Sequence, residues 1–173
     1  MKIFIYLIQF FIISLFLVLF KILGYRMASN FGGFIGSFFG QMFRSKKLIE
    51  GNIKKSLPKI SENEMEKIIK TMWSNYGRIL SDYVFIKNFR QSKLEKYLEI
   101  EGKEIFEEIK KSGEPVVFIS GHFNNFELMA MEIEKSGVSV AAIYRPLNNI
   151  FLNKIMESIR KKYICKHQIK KGI

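Results

Sequence analysis

Cysteine is nearly absent from this chain: Cys165 stands alone among 173 residues. That excludes an internal disulfide and suggests a reducing compartment. As a nucleophile Cys165 has little support, because it sits in a Lys-rich segment with no partner motif beside it. There are two histidines, His122 and His167, and one aspartate, Asp82. Chemistry that needs paired carboxylates therefore rests on glutamates. HExxH, paired CxxC and Gly-rich phosphate loops are all missing, so neither a metal nor a nucleotide cofactor is expected. Acidic charge is also scarce. Lys and Arg number 28 against 16 Asp and Glu, a formal charge of +12. Nucleic acid, an anionic membrane surface and an acidic protein are the partners such a charge allows. The lysines are spread along the chain and do not form a reading motif with aromatics, so no nucleic-acid partner is expected.

What the chain does have is a long apolar start. Residues 3–20 carry no charge, and only Gln9 and Ser14 interrupt them. As a helix, 18 residues cover about 27 Å, and extension to Leu23 reaches the thickness of a hydrocarbon core. A cleaved signal peptide is the competing reading, but its apolar region is shorter, about 7–15 residues. Residues 1–23 are expected to form an uncleaved transmembrane anchor. One lysine precedes the span, while Lys21, Arg26, Arg44, Lys46 and Lys47 follow it. The positive-inside rule then leaves the body of the protein in the cytoplasm, on a single-pass anchor.

Residues 24–90 form an interfacial and helical region. Residues 27–43 are uncharged and rich in Gly and Phe. Each glycine weakens a helix interior by about 1 kcal/mol, so a second span is disfavoured. Two readings stand: an interfacial or re-entrant helix, or a helix packed against the rest of the domain. A basic amphipathic helix follows, with Leu48, Ile49, Ile53 and Leu57 on one side and lysines on the other. Pro58 ends it. Ser61 and Glu64 form a capping box ahead of a long apolar stripe from Met65 to Tyr83, which predicts a long helix with one buried face.

Residues 91–173 show a different rhythm. Residues 97–101 alternate like a strand, and 102–111 look helical. Residues 116–119 (Val-Val-Phe-Ile) and 138–143 predict buried strands, and 125–136 and 151–162 predict helices. The expected fold class is α/β: the N-terminal helix and helical region, then a partial, mainly parallel sheet domain. Functional groups of such sheets gather beyond the carboxyl ends of the strands. His122 follows one expected strand and Arg145 the next, so both would face one crevice.

Ser120-Gly121-His122-Phe123-Asn124-Asn125-Phe126-Glu127 is the most informative stretch. A histidine at a strand mouth can take a proton from a hydroxyl, and a nearby carboxylate can orient its ring. The plainer reading is a hydrogen-bonded structural histidine. Arg145 can hold an acidic or phosphorylated group or stabilise an oxyanion; its plainer reading is a solvated arginine in the turn before Pro146. No nucleophile elbow is present, so direct transfer without an acyl-enzyme is the simpler chemistry.

Gly121-His122-Phe123-Asn124-Asn125-Phe126-Glu127 resembles the His-x4-Glu motif of the late (lauroyl/myristoyl) acyltransferases of lipid A biosynthesis, whose members commonly read Gly-His-Phe-Gly-Asn-Trp-Glu. Tyr144-Arg145-Pro146-Leu147-Asn148-Asn149 resembles their Tyr-Arg-Pro-x-Asn-Asn segment. Met72-Trp73-Ser74-Asn75-Tyr76-Gly77-Arg78 is similar to a further segment. The resemblance covers nearly the whole chain. It implies a membrane-bound acyltransferase of lipopolysaccharide biosynthesis, on the cytoplasmic face of the inner membrane. The donor would be acyl carrier protein and the acceptor a hydroxyl of a lipid A precursor. It also implies His122 as the base, Glu127 as its partner, and Arg145, Asn125 and Asn148 as substrate contacts. An acidic carrier protein and membrane lipids suit the basic surface. Family members continue past Ile173, so the chain is expected to be a C-terminally truncated form. The alternative function is that of a non-catalytic membrane-surface relative.

Overall fold

A computed structural model describes residues 2–121 and 124–171. The chain divides into two compact units: residues 1–16 with 85–173, and residues 17–84. The first helix, α1 (Lys2–Leu23), runs through the boundary. Its interior has no Gly or Pro to interrupt it, and it stops at Gly24, whose φ of 76° lies in the left-handed region. By length and composition α1 is the one described helix that qualifies to cross a membrane. Phe4, Ile8, Phe11, Leu15, Val18 and Ile22 recur every three or four residues and are exposed, whereas Phe20 is buried.

The helical unit is built on glycine. Helix α2 (Tyr25–Phe39) packs against α4 (Glu62–Asp82) at backbone distance. A Cβ at Gly77 would lie 2.0 Å from the Gly32 carbonyl oxygen, and one at Gly36 would lie 2.2 Å from that of Trp73. Gly40, in the turn after α2, lies against the Trp73 ring. Of the two readings of 27–43, packing against the domain is what its glycine face does. Its phenylalanines Phe34, Phe38 and Phe43 point outward and are exposed. The segment 72–78 supplies the other half of this contact. Arg78 closes it, donating from Nη1 to Ser29 Oγ at 3.2 Å and to Asn30 Oδ1 at 3.0 Å.

Helix α3 (Lys46–Ser56) stops before Pro58, as expected, and buries Ile49 against Met65 and Ile69 of α4. Lys46, Lys47, Lys54 and Lys55 remain exposed. The capping box of α4 is complete: Glu64 N donates to Ser61 Oγ at 3.3 Å, and Ser61 N donates to Glu64 Oε2 at 3.2 Å.

The second unit is α/β but mostly helical. It contains α5 (Ile86–Gln91), α6 (Lys103–Ser112), α7 (Glu127–Lys135), β1 (Ala141–Tyr144), α8 (Ile150–Tyr163) and β2 (His167–Lys170). Strands β1 and β2 pair in parallel, Ala141 opposite His167 and Tyr144 opposite Lys170, with α8 as the crossover. Ile86, Phe89, Met131, Ile133, Ile164 and Cys165 form its buried apolar interior. Arg90 ties its helices together, pairing with Glu134 at 2.6 Å and donating to the Tyr163 carbonyl at 3.1 Å.

Three strand expectations are corrected. Residues 116–119 form no strand and are not buried; Val117 is 87% exposed and Ile119 91%. Residues 97–101 close a short 3-10 turn (Glu95–Tyr97) and belong to neither described strand. The expected strand at 138–143 starts later, at Ala141, after Gly137 turns the chain with a φ of 93°. Apolar alternation identifies an extended segment. Only a neighbour that takes its backbone hydrogen bonds makes it a strand. Among the described residues the sheet has two strands, and 116–119 is paired with neither.

Candidate functional site

The turn into α7 sets up the site. Asn124 has a φ of 45°, a left-handed conformation that asparagine tolerates better than other side chains bearing a Cβ. The chain then folds on itself: Phe126 N donates to the Asn124 carbonyl at 3.1 Å and Leu128 N to the Asn125 carbonyl at 3.2 Å. Glu127 is the first residue of α7, and its carboxylate is buried there. A negative charge at a helix N-terminus is favoured by the backbone dipoles. His122 and Phe123 lie outside the described residues, so the expected base falls there. Asn125 is described and buried, directly before α7.

Arg160, from the last turn of α8, meets Glu127. Its Nε donates to Glu127 Oε1 at 2.9 Å, and its Nη2 donates to the same oxygen. Both side chains are largely withdrawn from solvent, at 12% and 6% exposure. The guanidinium carbon also lies 5.6 Å from the centre of the Tyr144 ring, within reach of a cation–π interaction. Arg160 thus joins two of the three segments that carry the family resemblance.

Tyr144 ends β1 and is buried. Its hydroxyl donates to Glu157 Oε1. Glu157 also receives Asn153 Nδ2 at 2.7 Å and pairs with Lys170 Nζ at 3.3 Å. Burial first, and then this hydrogen bond, push the Tyr144 phenol up to about 12. The bond from Tyr144, aided by Asn153 and Lys170, pulls the Glu157 carboxyl down to about 2. Tyr144 therefore stays neutral and Glu157 ionised across the physiological range.

The loop after β1 is held by side chains from α8 and from α1. Asn153 Oδ1 accepts from Leu147 N at 2.9 Å. Asn149 is buried and caps α8, accepting from Phe151 N at 3.1 Å and Leu152 N at 3.2 Å. Its Nδ2 donates to the Tyr6 carbonyl at 2.9 Å and to Gln9 Oε1 at 3.2 Å. Arg145 and Asn148, expected as substrate contacts, are exposed on this braced loop.

Arg160, Glu157 and Asn149 received no role from the sequence. Arg160 opens an Arg-Lys-Lys run that looks like a solvated helix face. Asn149 had a usable signal: an asparagine immediately before an apolar helical run is a capping residue. Cys165 is buried, donates to the Val140 carbonyl at 2.9 Å, and has its thiol pushed up mainly by burial, the opposite of an activated nucleophile. Among the described residues no group of three or more His, Cys, Asp or Glu side chains is placed to hold a metal ion.

The family model described as bacterial lipid A biosynthesis acyltransferase matches residues 1–168. The lipid A biosynthesis myristoyltransferase of Escherichia coli (strain K12) is 24% identical over 135 residues, covering 78% of this chain and 41% of that protein. Lipid A biosynthesis acyltransferases 1 and 2 of Shigella flexneri are each 24% identical, over 135 and 130 residues, which is 78% and 75% of this chain and 41% of each relative. The chain thus spans about two fifths of the length of the curated relatives it matches. No solved structure matches it. With the family match running from the apolar helix to the start of β2, the chain belongs to the bacterial lipid A biosynthesis acyltransferase family.

Proposed function

We propose that this chain carries the catalytic motif of a late, lauroyl/myristoyl-type acyltransferase, moving a fatty acyl chain from acyl carrier protein to a hydroxyl of a lipid A precursor. The work is done at the cytoplasmic face of the inner membrane, to which α1 and membrane lipids hold the protein. His122 takes the proton from the acceptor hydroxyl as its oxygen attacks the thioester carbonyl. The tetrahedral intermediate collapses, the carrier thiolate leaves, and the proton passes to it. Glu127 steadies the imidazolium. Arg145, Asn125 and Asn148 contact substrate, and Arg145 suits a phosphate. Exposed lysines such as Lys46, Lys47, Lys54 and Lys55 suit an acidic carrier protein.

The observation that carries this reading is the position of Arg160. It bonds the buried Glu127 and lies over Tyr144, so the His-x4-Glu and Tyr-Arg-Pro segments are joined by one guanidinium. A second reading, a non-catalytic membrane-surface relative, draws on the exposed, unpaired segment 116–119. Membranes containing the protein, given labelled acyl carrier protein and a lipid A precursor, separate the two. His122→Ala should lower transfer at least 100-fold, since general-base catalysis contributes about 10²–10⁴. A loss under tenfold removes His122 as base, and no transfer by the parent protein favours the second reading.

A further inference from the structure

Helix α2 has two faces of opposite use. Residues advance about 100° per position in a helix, so the row Met27, Phe31, Phe34 and Phe38 lies nearly opposite Gly32 and Gly36. The glycine row is closed against α4. The phenylalanine row is exposed, with Phe38 at 69%. Its rings touch one another: Phe34 and Phe38 stack at 6.3 Å, and Phe38 meets Phe39 edge-on at 4.9 Å. Met42 and Phe43, both 81% exposed, continue the patch into the turn after α2. A contiguous apolar patch of this kind marks a contact with a membrane or another protein. The charges beside it decide between them. Arg44, Lys46 and Lys47 follow directly and are exposed. The first acidic residue of the chain is Glu50, which pairs with Lys46 at 3.5 Å. A protein partner would need both a groove for the rings and acids for the cations. A leaflet of anionic phospholipid offers both as one continuous surface.

We propose that α2 is a membrane-contact element in its own right, additional to α1: its phenylalanine row sits in the upper part of one anionic leaflet, while its glycine row holds α4 at the headgroups. The depth is limited by the same packing. Helix α4 exposes Glu66, Lys67 and Lys70, and it is locked to α2 at backbone distance. Sinking α2 further would carry those charges into hydrocarbon, which is costly. The 15 residues of α2 also make only about 22 Å of helix, against a hydrocarbon core of about 30 Å. Arg44 and Lys47, just beyond the rings, then lie at the level of the phosphates.

Depth-resolved quenching tests this without any use of activity. Bimane is placed at Phe34→Cys, at Phe38→Cys and, as a control on α4, at Glu66→Cys. Cys165 is buried, and the parent protein gives the blank. The protein is reconstituted into phosphatidylethanolamine/phosphatidylglycerol vesicles with lipids spin-labelled near the head or near the end of the acyl chain. Both phenylalanine positions should be quenched more strongly by the shallow label, and the Glu66 position by neither. Stronger quenching by the deep label would put α2 in the bilayer centre. Quenching of neither phenylalanine position would mean that protein covers the row. Either result overturns the proposal. Replacing phosphatidylglycerol with phosphatidylcholine should weaken the shallow quenching, and no change overturns the anionic leaflet as occupant. The unsubstituted protein gives a second measurement. Trypsin cuts after Arg26 and Arg44 leave residues 27–44 as one peptide, separate from α1. A phosphatidylglycerol with a photoreactive group near the head of its chain should label that peptide, and label confined to residues 3–21 overturns the proposal. A protein that makes these contacts but transfers no acyl group counts against the acyltransferase reading and leaves this one standing.

Discussion

Arg160 directs two N–H donors, Nε and Nη2, at one oxygen of Glu127. The pair is buried, so each partner depends on the other. Removing one side of a buried ion pair strands the remaining charge and costs about 3–5 kcal/mol. Arg160→Met should destabilise the protein by about that much in detergent-solubilised denaturation. Arg160→Met with Glu127→Leu should recover a large part of the loss, because neither charge is then left alone. Arg160→Lys keeps the charge but not the planar fork. If Arg160 positions Glu127 for catalysis, that variant lowers kcat with KM little changed.

Tyr144 and Glu157 predict a pH signature. The carboxyl of Glu157 is held down to about 2, below its ordinary value of 4.5. Its contribution to stability is therefore complete above about 4.5 and is lost as pH falls toward 2. The Tyr144 phenol is raised from 10 to about 12, so its contribution is complete below 10 and is lost as pH rises through 12. Stability measured against pH should fall at both ends in the parent. Glu157→Gln should flatten the acid limb. An acid limb as steep as the parent's would remove Glu157 as its cause.

These predictions rest on residues whose roles differ in how far the sequence shows them. The capping box, the long helix behind it and the α8 crossover are local patterns, set by side chains within one or two turns. They appear where periodicity puts them. The segment 116–119 does not become a buried strand, since four apolar residues specify extended chain but not the partner that pairs it. The motif singles out Glu127 in the sequence, whereas Arg160, which bonds it in the structure, lies 33 residues away among lysines. Spacing along one helix carries no information about a contact between two.

Asn124 stands where members of the resembling family commonly read glycine, and its φ of 45° explains why few residues can. A left-handed conformation costs an ordinary L-residue about 1–2 kcal/mol. Asn124→Gly should be neutral or slightly stabilising. Asn124→Val should destabilise by at least about 1–2 kcal/mol, since its branched side chain has no local hydrogen bond to offset the strain. Equal melting temperatures for the Gly and Val variants would show that the turn carries no such strain.

Two glycines in the helical unit should respond in opposite directions to the same methyl group. A Cβ at Gly77 would lie 2.0 Å from the Gly32 carbonyl oxygen, a backbone atom that cannot swing away. Gly77→Ala must push α2 and α4 apart, and a loss of about 1–3 kcal/mol is expected, as for an overpacked core. Gly51 is exposed in α3, and nothing lies within 4 Å of its Cβ position. Gly51→Ala should stabilise by about 0.5–1 kcal/mol through helix propensity alone. Two losses of similar size would mean that α3 is packed against something there.

Asn149 combines two roles that substitution can separate. Its Oδ1 accepts from Phe151 N and Leu152 N and caps α8, while its Nδ2 donates to Tyr6 and Gln9 of α1. Asn149→Ala removes both, and loss of the cap alone costs about 1 kcal/mol. Asn149→Asp keeps an acceptor for the cap and adds a charge that the helix dipole favours. It also replaces the Nδ2 donor with an oxygen facing the Tyr6 carbonyl and Gln9 Oε1. The Asp variant should therefore hold α8 while releasing the start of α1. Limited proteolysis in mild detergent reads this out: both variants should be cut faster within residues 2–10 than the parent. Only the Ala variant should also gain cuts at the start of α8, near Ile150. If the Asp variant resists cleavage in α1 as the parent does, Asn149 is a cap and not a clamp.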